Sequence, residues 1–333
     1  MELKLSVLDQ TPIAEGLTAT EALKQTEELI QHVEKLGYQR FWVSEHHDTT
    51  TLGGSSPEVL IAHLAAKTYR IKVGSGGVML PHYSAYKVAE NFKVLEGLNP
   101  GRIDLGLGRA PGGMPRATLA LNNGGRSDIR EFPNQIKELQ YYLTDSLPKD
   151  HPYYGLKATP IIPTSPELWL LGSSPSSAML AAEKGLPYTF AQFINGEGGP
   201  QFMRHYQTSF QPSERLKEPK GMVAVFVICA ETDEEAERVA SSLDLSILMI
   251  EQGMVSKGTP SPEHAVAYVY SPYERMRMEE NRKRMVVGGP QKVKQQLLRI
   301  ATEYETDEVM VVTITHDFQD KLTSFELLAK ELL

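Results

Sequence analysis

The chain has 333 residues, one cysteine and a formal net charge of −8. That length suits one large α/β domain, the acidic balance argues against a nonspecific grip on nucleic acid, and a lone Cys229 excludes an intrachain disulfide and fits a reducing cytoplasm. The segment MELKLSVLDQ lacks the basic start and long apolar run of a signal peptide, and no stretch approaches the roughly 18 apolar residues of a membrane span, so no membrane association is expected.

Short apolar runs alternate with longer amphipathic ones, as βα repetition requires. LKLSVLD (3–9) reads as a first strand, followed by a helix over 20–36 that Gly37 ends. RFWVS (40–44) reads as a second strand, and Pro57 suits the first turn of a helix reaching about Thr68. IKVGSGG (71–77) is a third strand; a helix over 85–97 then leads to a fourth, RIDLGLG (102–108). Residues 128–143 read as a helix, and 147–166 as proline-rich and irregular. ELWLLG (167–172) is a fifth strand, followed by a helix over 176–184 and a short sixth strand at 187–192. GMVAVFVICA (221–230) is apolar enough for a strand buried on both faces. DEEAER (233–238) reads as a solvated helix face, and DEVMVVTIT (307–315) as an eighth strand before a closing helix.

Eight strands with helices between them point to a single (β/α)₈ TIM barrel over 1–333, with an open doubly wound sheet as the alternative. The stretch 247–284 breaks the pattern with Gly253, Gly258, Pro260, Pro262 and Pro272, then a charged helical piece, YERMRMEENRKRM. It reads either as a lid over the barrel mouth or as a surface insertion.

Barrel active sites lie at the C-terminal strand ends. There the chain offers Asp9-Gln10, Ser44-Glu45-His46-His47, Gly76-Gly77, Gly108-Arg109, Gly172-Ser173-Ser174, Gln192, Thr313 and Thr315. No strand ends on a lysine, which argues against Schiff-base chemistry. No His-x-His or histidine–carboxylate cluster suggests a metal, and none is expected. GSSPS is not a nucleophile elbow, and GSGGVM and GLGRAP lack the third glycine of a dinucleotide fingerprint. Two features remain. Gly172-Ser173-Ser174-Pro175-Ser176-Ser177 runs from a strand into a helix, where free amides, hydroxyls and Arg109 would suit a phosphate monoester; equally, the serines could simply cap the helix. His46 and His47 stand at a strand end, and side-chain alternation allows only one of them to face the mouth.

SEHHDTTTLGGSSPEVLIAHLAA (44–66), the segment from Val73 to Gly113, LGSSPSSAMLAAEKGLPYTFAQF (171–193), MVVGGPQKVKQQL (285–297) and DEVMVVTITHD (307–317) together resemble the luciferase-like flavin monooxygenases in order along nearly the whole chain. The resemblance implies a barrel that binds FMN, reduced by a separate NAD(P)H-dependent reductase, and that uses O2 to oxidise a small organic substrate, with an aldehyde among the options. It implies His46 as the catalytic histidine, and Arg109, Ser173, Ser174 and Ser177 at the FMN phosphate, with Arg126 as a second phosphate arginine. It places Gly76-Gly77 at a non-proline cis peptide beneath the flavin. Gly108 stands where bacterial luciferase has a reactive cysteine, so long-chain aldehyde luminescence does not follow. Two alternatives accompany this reading: a deazaflavin-dependent oxidoreductase of the same superfamily, and a noncatalytic flavin-binding protein. A homodimer is expected by family analogy, through the helix carrying Ala62, Ala65 and Ala66.

Overall fold

A computed structural model describes residues 3–109, 113, 115–125 and 128–333. Nine parallel strands appear: β1 (Lys4–Asp9), β2 (Arg40–Val43), β3 (Lys72–Met79), β4 (Ile103–Gly108), β5 (Glu167–Gly172), β6 (Tyr188–Ala191), β7 (Gly221–Cys229), β8 (Met285–Gly288) and β9 (Glu308–Val312). The helices between them are α1 (Ala19–Leu36), α2 (Pro57–Ala66), α3 (Ala85–Leu98), α4 (Pro115–Leu121), α5 (Phe132–Thr144), α6 (Pro175–Glu183) and α7 (Gly199–Ser209). After β7 come α8 (Asp233–Glu251), α9 (Pro262–Ala267), α10 (Pro272–Arg282), α11 (Pro290–Glu303) and α12 (Phe318–Leu332).

Eight of the strands close a barrel in the order β1 to β7 and then β9, sealed by the β6–β7 and β1–β9 pairings. The expected TIM barrel is therefore present. The ninth strand, β8, is an addition to the expected eight. Phe226 stands in register with both Val312 of β9 and Met285 of β8, so these two strands flank β7 on opposite sides. β8 thus occupies the flank of β7 beyond the point where the β6 pairing ends at Ala191 and Ala224.

The excursion differs from the expected irregular stretch. Residues 247–251 are the last turn of α8 and Pro262–Ala267 forms α9, while the charged piece is helical as expected and folds as α10, whose Ser271 and Glu274 form a capping box.

Strand alternation sorts the core into two layers. Val223, Val225 and Val227 of β7 face the helices, while Met222, Ala224 and Phe226 point into the barrel with Leu8, Trp42, Trp169 and Met310. At the N-terminal end the interior is ionic. Arg40 bonds Asp104 at 2.8 Å, Glu167 at 3.1 Å and Glu308 at 2.7 Å, with its guanidinium over Trp169. Trp42 Nε1 donates to Asp104 and meets Trp169 edge-on, so paired charge and aromatic bulk plug that end. The cavities that matter for chemistry open at the other.

Candidate active site

The C-terminal face carries three neighbouring cavities. The first, about 290 Å3, is lined by Gly76, Gly77, Gly108, Arg109, Ser173, Ser174 and Ser177, with Leu8, Leu171, Thr189, Phe193 and Met310 among its other walls. Six of the expected site residues therefore meet in one place. Arg126 lies outside the described residues.

Glycine is required in this floor because β3 and β4 touch backbone to backbone. A Cβ on Gly77 would lie 2.7 Å from the Gly106 carbonyl oxygen, and one on Gly106 would lie 2.1 Å from that of Ser75. The Gly76–Gly77 peptide is cis, as the resemblance implied, and the β3–β4 register shifts between Gly76 and Val78. Arg109 is exposed at the rim, and its side chain has no partner among the described residues.

The serines cap the helix, the simpler of the two readings of their motif. Ser174 is the N-cap of α6 and forms a capping box with Ser177, whose hydroxyl donates to the Ser174 carbonyl at 2.7 Å and lies 2.9 Å from the Tyr188 hydroxyl. The Ser173 carbonyl accepts from Asn195 at 3.1 Å. The capping function is real, and it aims the N-terminus of α6 at the cavity, where the positive end of the helix dipole favours an anion.

His46 is not in that cavity. It lines a second, open cleft of about 450 Å3 with His47, Asp48, Leu52, Gly53 and Lys257. Its Nδ1 lies 3.0 Å from the Ser44 hydroxyl, and its backbone amide donates to the Gly54 carbonyl. Burial, with the neighbouring His47 adding to it, pushes the imidazole down to about 4, so His46 is neutral at pH 7. When Ser44 donates to Nδ1, the proton sits on Nε2, which then serves as a donor.

Sequence reasoning gave no role to Glu45, which organises this corner. Its fully buried carboxylate accepts from the Met79 amide (2.9 Å), the Tyr83 hydroxyl (2.8 Å) and His47 Nε2 (2.7 Å). Three donors satisfy a carboxylate that water does not reach. Glu45 therefore fixes the end of β2 to the end of β3 and engages His47; both His46 and His47 line the cleft, where side-chain alternation predicts only one. Tyr83, held between burial and Glu45, is pushed well above the usual phenol range. Only the strand-end position of Glu45 hinted at this role.

The third cavity, about 100 Å3, lies between the other two. It shares Leu52 with the His46 cleft, and its Phe226 contacts Phe193 of the glycine-floored cavity edge-on at 5.3 Å. A larger cavity of about 500 Å3 opens at the N-terminal face among Lys72, Glu96, Glu167 and Arg215, around the ionic layer and away from these strand ends.

Comparison with known proteins agrees with this architecture. The Bacillus subtilis (strain 168) protein YwcH is 58% identical over 326 residues, covering 98% of each chain. The N-acetyl-S-alkylcysteine monooxygenase of the same organism is 37% identical, covering 99% of this chain and 98% of its own. The crystal structure of apo-MsnO8 superimposes with a TM-score of 0.89 at 39% identity, covering 99% of this chain and 98% of that one. At lower identity the fold is shared with the FMN-bound oxygenating constituent of 3,6-diketocamphane monooxygenase from Pseudomonas putida (TM-score 0.71, 18%, covering 100% and 98%). It is also shared with an F420-dependent secondary alcohol dehydrogenase (TM-score 0.66, 13%, covering 100% of each chain). Since the luciferase-like monooxygenase family model matches residues 3–304, nearly the whole chain, this protein belongs to the luciferase-like monooxygenase family.

Proposed function

We propose that the protein is an FMN-dependent monooxygenase that takes its flavin reduced from a separate NAD(P)H-dependent reductase and oxidises a small organic substrate with O2. The observation that carries this is the meeting of Gly76–Gly77, Arg109 and the Ser173–Ser177 turn in one cavity. The residues fit the cofactor. A floor without side chains and walls of Leu8, Leu171 and Met310 suit a flat ring system, and Arg109 with the α6 N-terminus suits its phosphate. Thr189 lines the same cavity, and its buried hydroxyl has no partner among the described residues, as a group that bonds a polar ring edge would. The compact Ser and Arg pocket favours FMN over a deazaflavin with its longer tail.

Bound reduced FMN supplies the electrons that activate O2. The protein's part is to hold the ring over Gly76 and Gly77, to exclude water, and to present neutral His46 as a hydrogen-bond donor or acceptor toward the substrate. Residues 247–284 act as the lid. Their Thr259 is fastened to Ile13 and Glu15 by backbone hydrogen bonds and accepts from His316 Nδ1 at 2.9 Å, and the Thr50 hydroxyl donates to the Ser256 carbonyl. Among relatives, the N-acetyl-S-alkylcysteine monooxygenase makes a small thioether a reasonable first substrate beside aldehydes.

The protein pairs with a second copy through α2 and α3. Val59, Ala62 and Ala66 lie exposed on α2 at helical spacing, with Val94 and Leu98 exposed on α3. Ala65 instead faces inward, at 1% exposure. No helix among the described residues is long and apolar enough to cross a membrane, and the single cysteine is buried; both suit a cytoplasmic enzyme.

Anaerobic titration with FMN and reduced FMN, followed by rapid mixing with oxygenated buffer, tests the reading. Tighter binding of the reduced form and a transient oxygen-dependent absorbance change support it. Absence of FMN binding in either state overturns it.

A further inference from the structure

The small cavity between the His46 cleft and the glycine-floored cavity has a lining of its own. Leu243, Ser246, Ile247 and Ile250 project into it from one face of α8, at the i, i+3, i+4, i+7 spacing of a helix. Along that face burial falls steadily. Leu243 is 2% exposed, Ile247 half-buried, and Ile250 69% exposed. α8 therefore forms one wall running from a closed inner end to an open outer one. Phe226 of β7 and Ile314, just past the end of β9, line it as well, together with Leu52 and Thr259.

Its exposed surface is predominantly apolar, and although Gln10, Thr51, Ser246, Ser256 and Thr259 are polar members of the lining, it carries no charged side chain. A cavity of this composition gains from taking up hydrocarbon, not ions. Its size sets a limit. An apolar cavity of roughly 150 Å3 holds benzene, about six carbons, so one of this size has room for about four. The volume here is about 100 Å3. It abuts the His46 cleft through Leu52 and the glycine-floored cavity through the Phe226–Phe193 contact. A group lodged in it would hold the rest of the molecule between the two.

We propose that this compartment is the alkyl pocket of the substrate, and that Ile247 and Ile250 limit the saturated chain it accepts to about four carbons. This rests on the reading of the C-terminal face as a monooxygenase site. It excludes long-chain aldehydes and selects small molecules with a short alkyl arm attached to the atom that is oxidised. Ile247 and Ile250 are specificity-determining residues and take no part in the chemistry.

The test is calorimetric titration of the full-length protein, with and without FMN, using straight-chain 1-alkanols from ethanol to decanol as probes. Burying each added methylene strengthens binding about fourfold. Affinity should climb by that factor per carbon to about butanol and then level off. Ile247→Ala should move the break outward by one to three carbons, and Ser246→Leu should move it inward; circular dichroism confirms that each variant is folded. Because both positions are only partly buried, neither substitution opens the main core. Affinity that keeps rising to decanol, a break that neither variant moves, or no alkanol binding overturns the proposal. If FMN fails to bind while the break appears and moves, the pocket stands and the flavin reading falls.

Discussion

The Ser177 hydroxyl sits directly over Gly172: a Cβ on this glycine would lie 2.2 Å from Ser177 Oγ. The end of β5 and the first turn of α6 are packed as closely as glycine allows. Gly172→Ala must therefore displace the turn that presents Ser173, Ser174 and Ser177 to the cavity. We expect a stability loss of about 1–3 kcal/mol from overpacking. We also expect FMN affinity to fall at least about tenfold, one decade per 1.4 kcal/mol. Thermal unfolding and quenching of FMN fluorescence measure the two effects, and unchanged FMN affinity would contradict the assigned phosphate turn.

Arg109 is the charged side chain in the lining of that cavity, and it has no partner among the described residues. A hydrogen bond to a charged group contributes about 1.5–3 kcal/mol, so Arg109→Ala should weaken FMN roughly 10- to 150-fold. Riboflavin lacks the phosphate and should bind the variant and the unaltered protein alike. Equal losses for both ligands would show that Arg109 holds the ring or the rim and not the phosphate.

The exposed stripe of Val59, Ala62 and Ala66 beside Val94 and Leu98 is the dimer face we expect. A stable pair buries about 1,200–2,000 Å2, so one charge within the buried face leaves an unpaired carboxylate. Leu98→Asp should sediment as a monomer at micromolar concentration where the unaltered chain sediments as a dimer. An unaltered chain that is already monomeric rules out the pairing.

The barrel was legible because short apolar runs alternate with amphipathic helices along the chain and because glycines and serines mark the strand ends. GMVAVFVICA declares itself as a continuous apolar run of strand length, and only the fold sorts Met222, Ala224 and Phe226 from Val223, Val225 and Val227. The strand Met285–Gly288 escapes such reading. It is four residues long, buried at each of them, and joined almost directly to the charged helix α10, so no alternation or turn announces it. Glu45 escapes for a different reason. Its partners Met79 and Tyr83 stand 34 and 38 residues away, and only the folded β2–β3 corner brings them together. The separation of His46 from the glycine-floored cavity is likewise a tertiary fact, since both belong to adjacent strand ends in the sequence pattern.

His46 gives a pH signature. The folded protein holds its imidazole down at about 4, whereas the unfolded chain protonates it near 6.5. Between those values the unfolded state binds the extra proton, so the contribution to stability is complete above about pH 6.5 and is lost as pH falls toward 4. The full shift corresponds to about 3 kcal/mol. Urea unfolding of the unaltered protein and of His46→Gln from pH 7.5 to 4.5 should therefore give curves that converge on acidification. Parallel curves would mean that His46 titrates normally in the folded state.

Glu45 should prove the most costly residue of the cleft to remove, although it faces neither cavity. Glu45→Ala strips the acceptor from the Met79 amide, the Tyr83 hydroxyl and His47 at once. Each buried donor left unpaired costs about 1–3 kcal/mol, so a loss of about 3 kcal/mol or more is expected. Glu45→Gln keeps one oxygen acceptor and places an amide NH2 against the remaining donors, so it should recover only part of that loss. Met79 lines the glycine-floored cavity, so releasing its amide should also weaken FMN binding, although Glu45 is absent from that lining. Paired unfolding and FMN titrations separate the outcomes. A Glu45→Ala variant as stable as the parent would mean that the three donors find other partners, and the corner would then owe its shape to β2 and β3 alone.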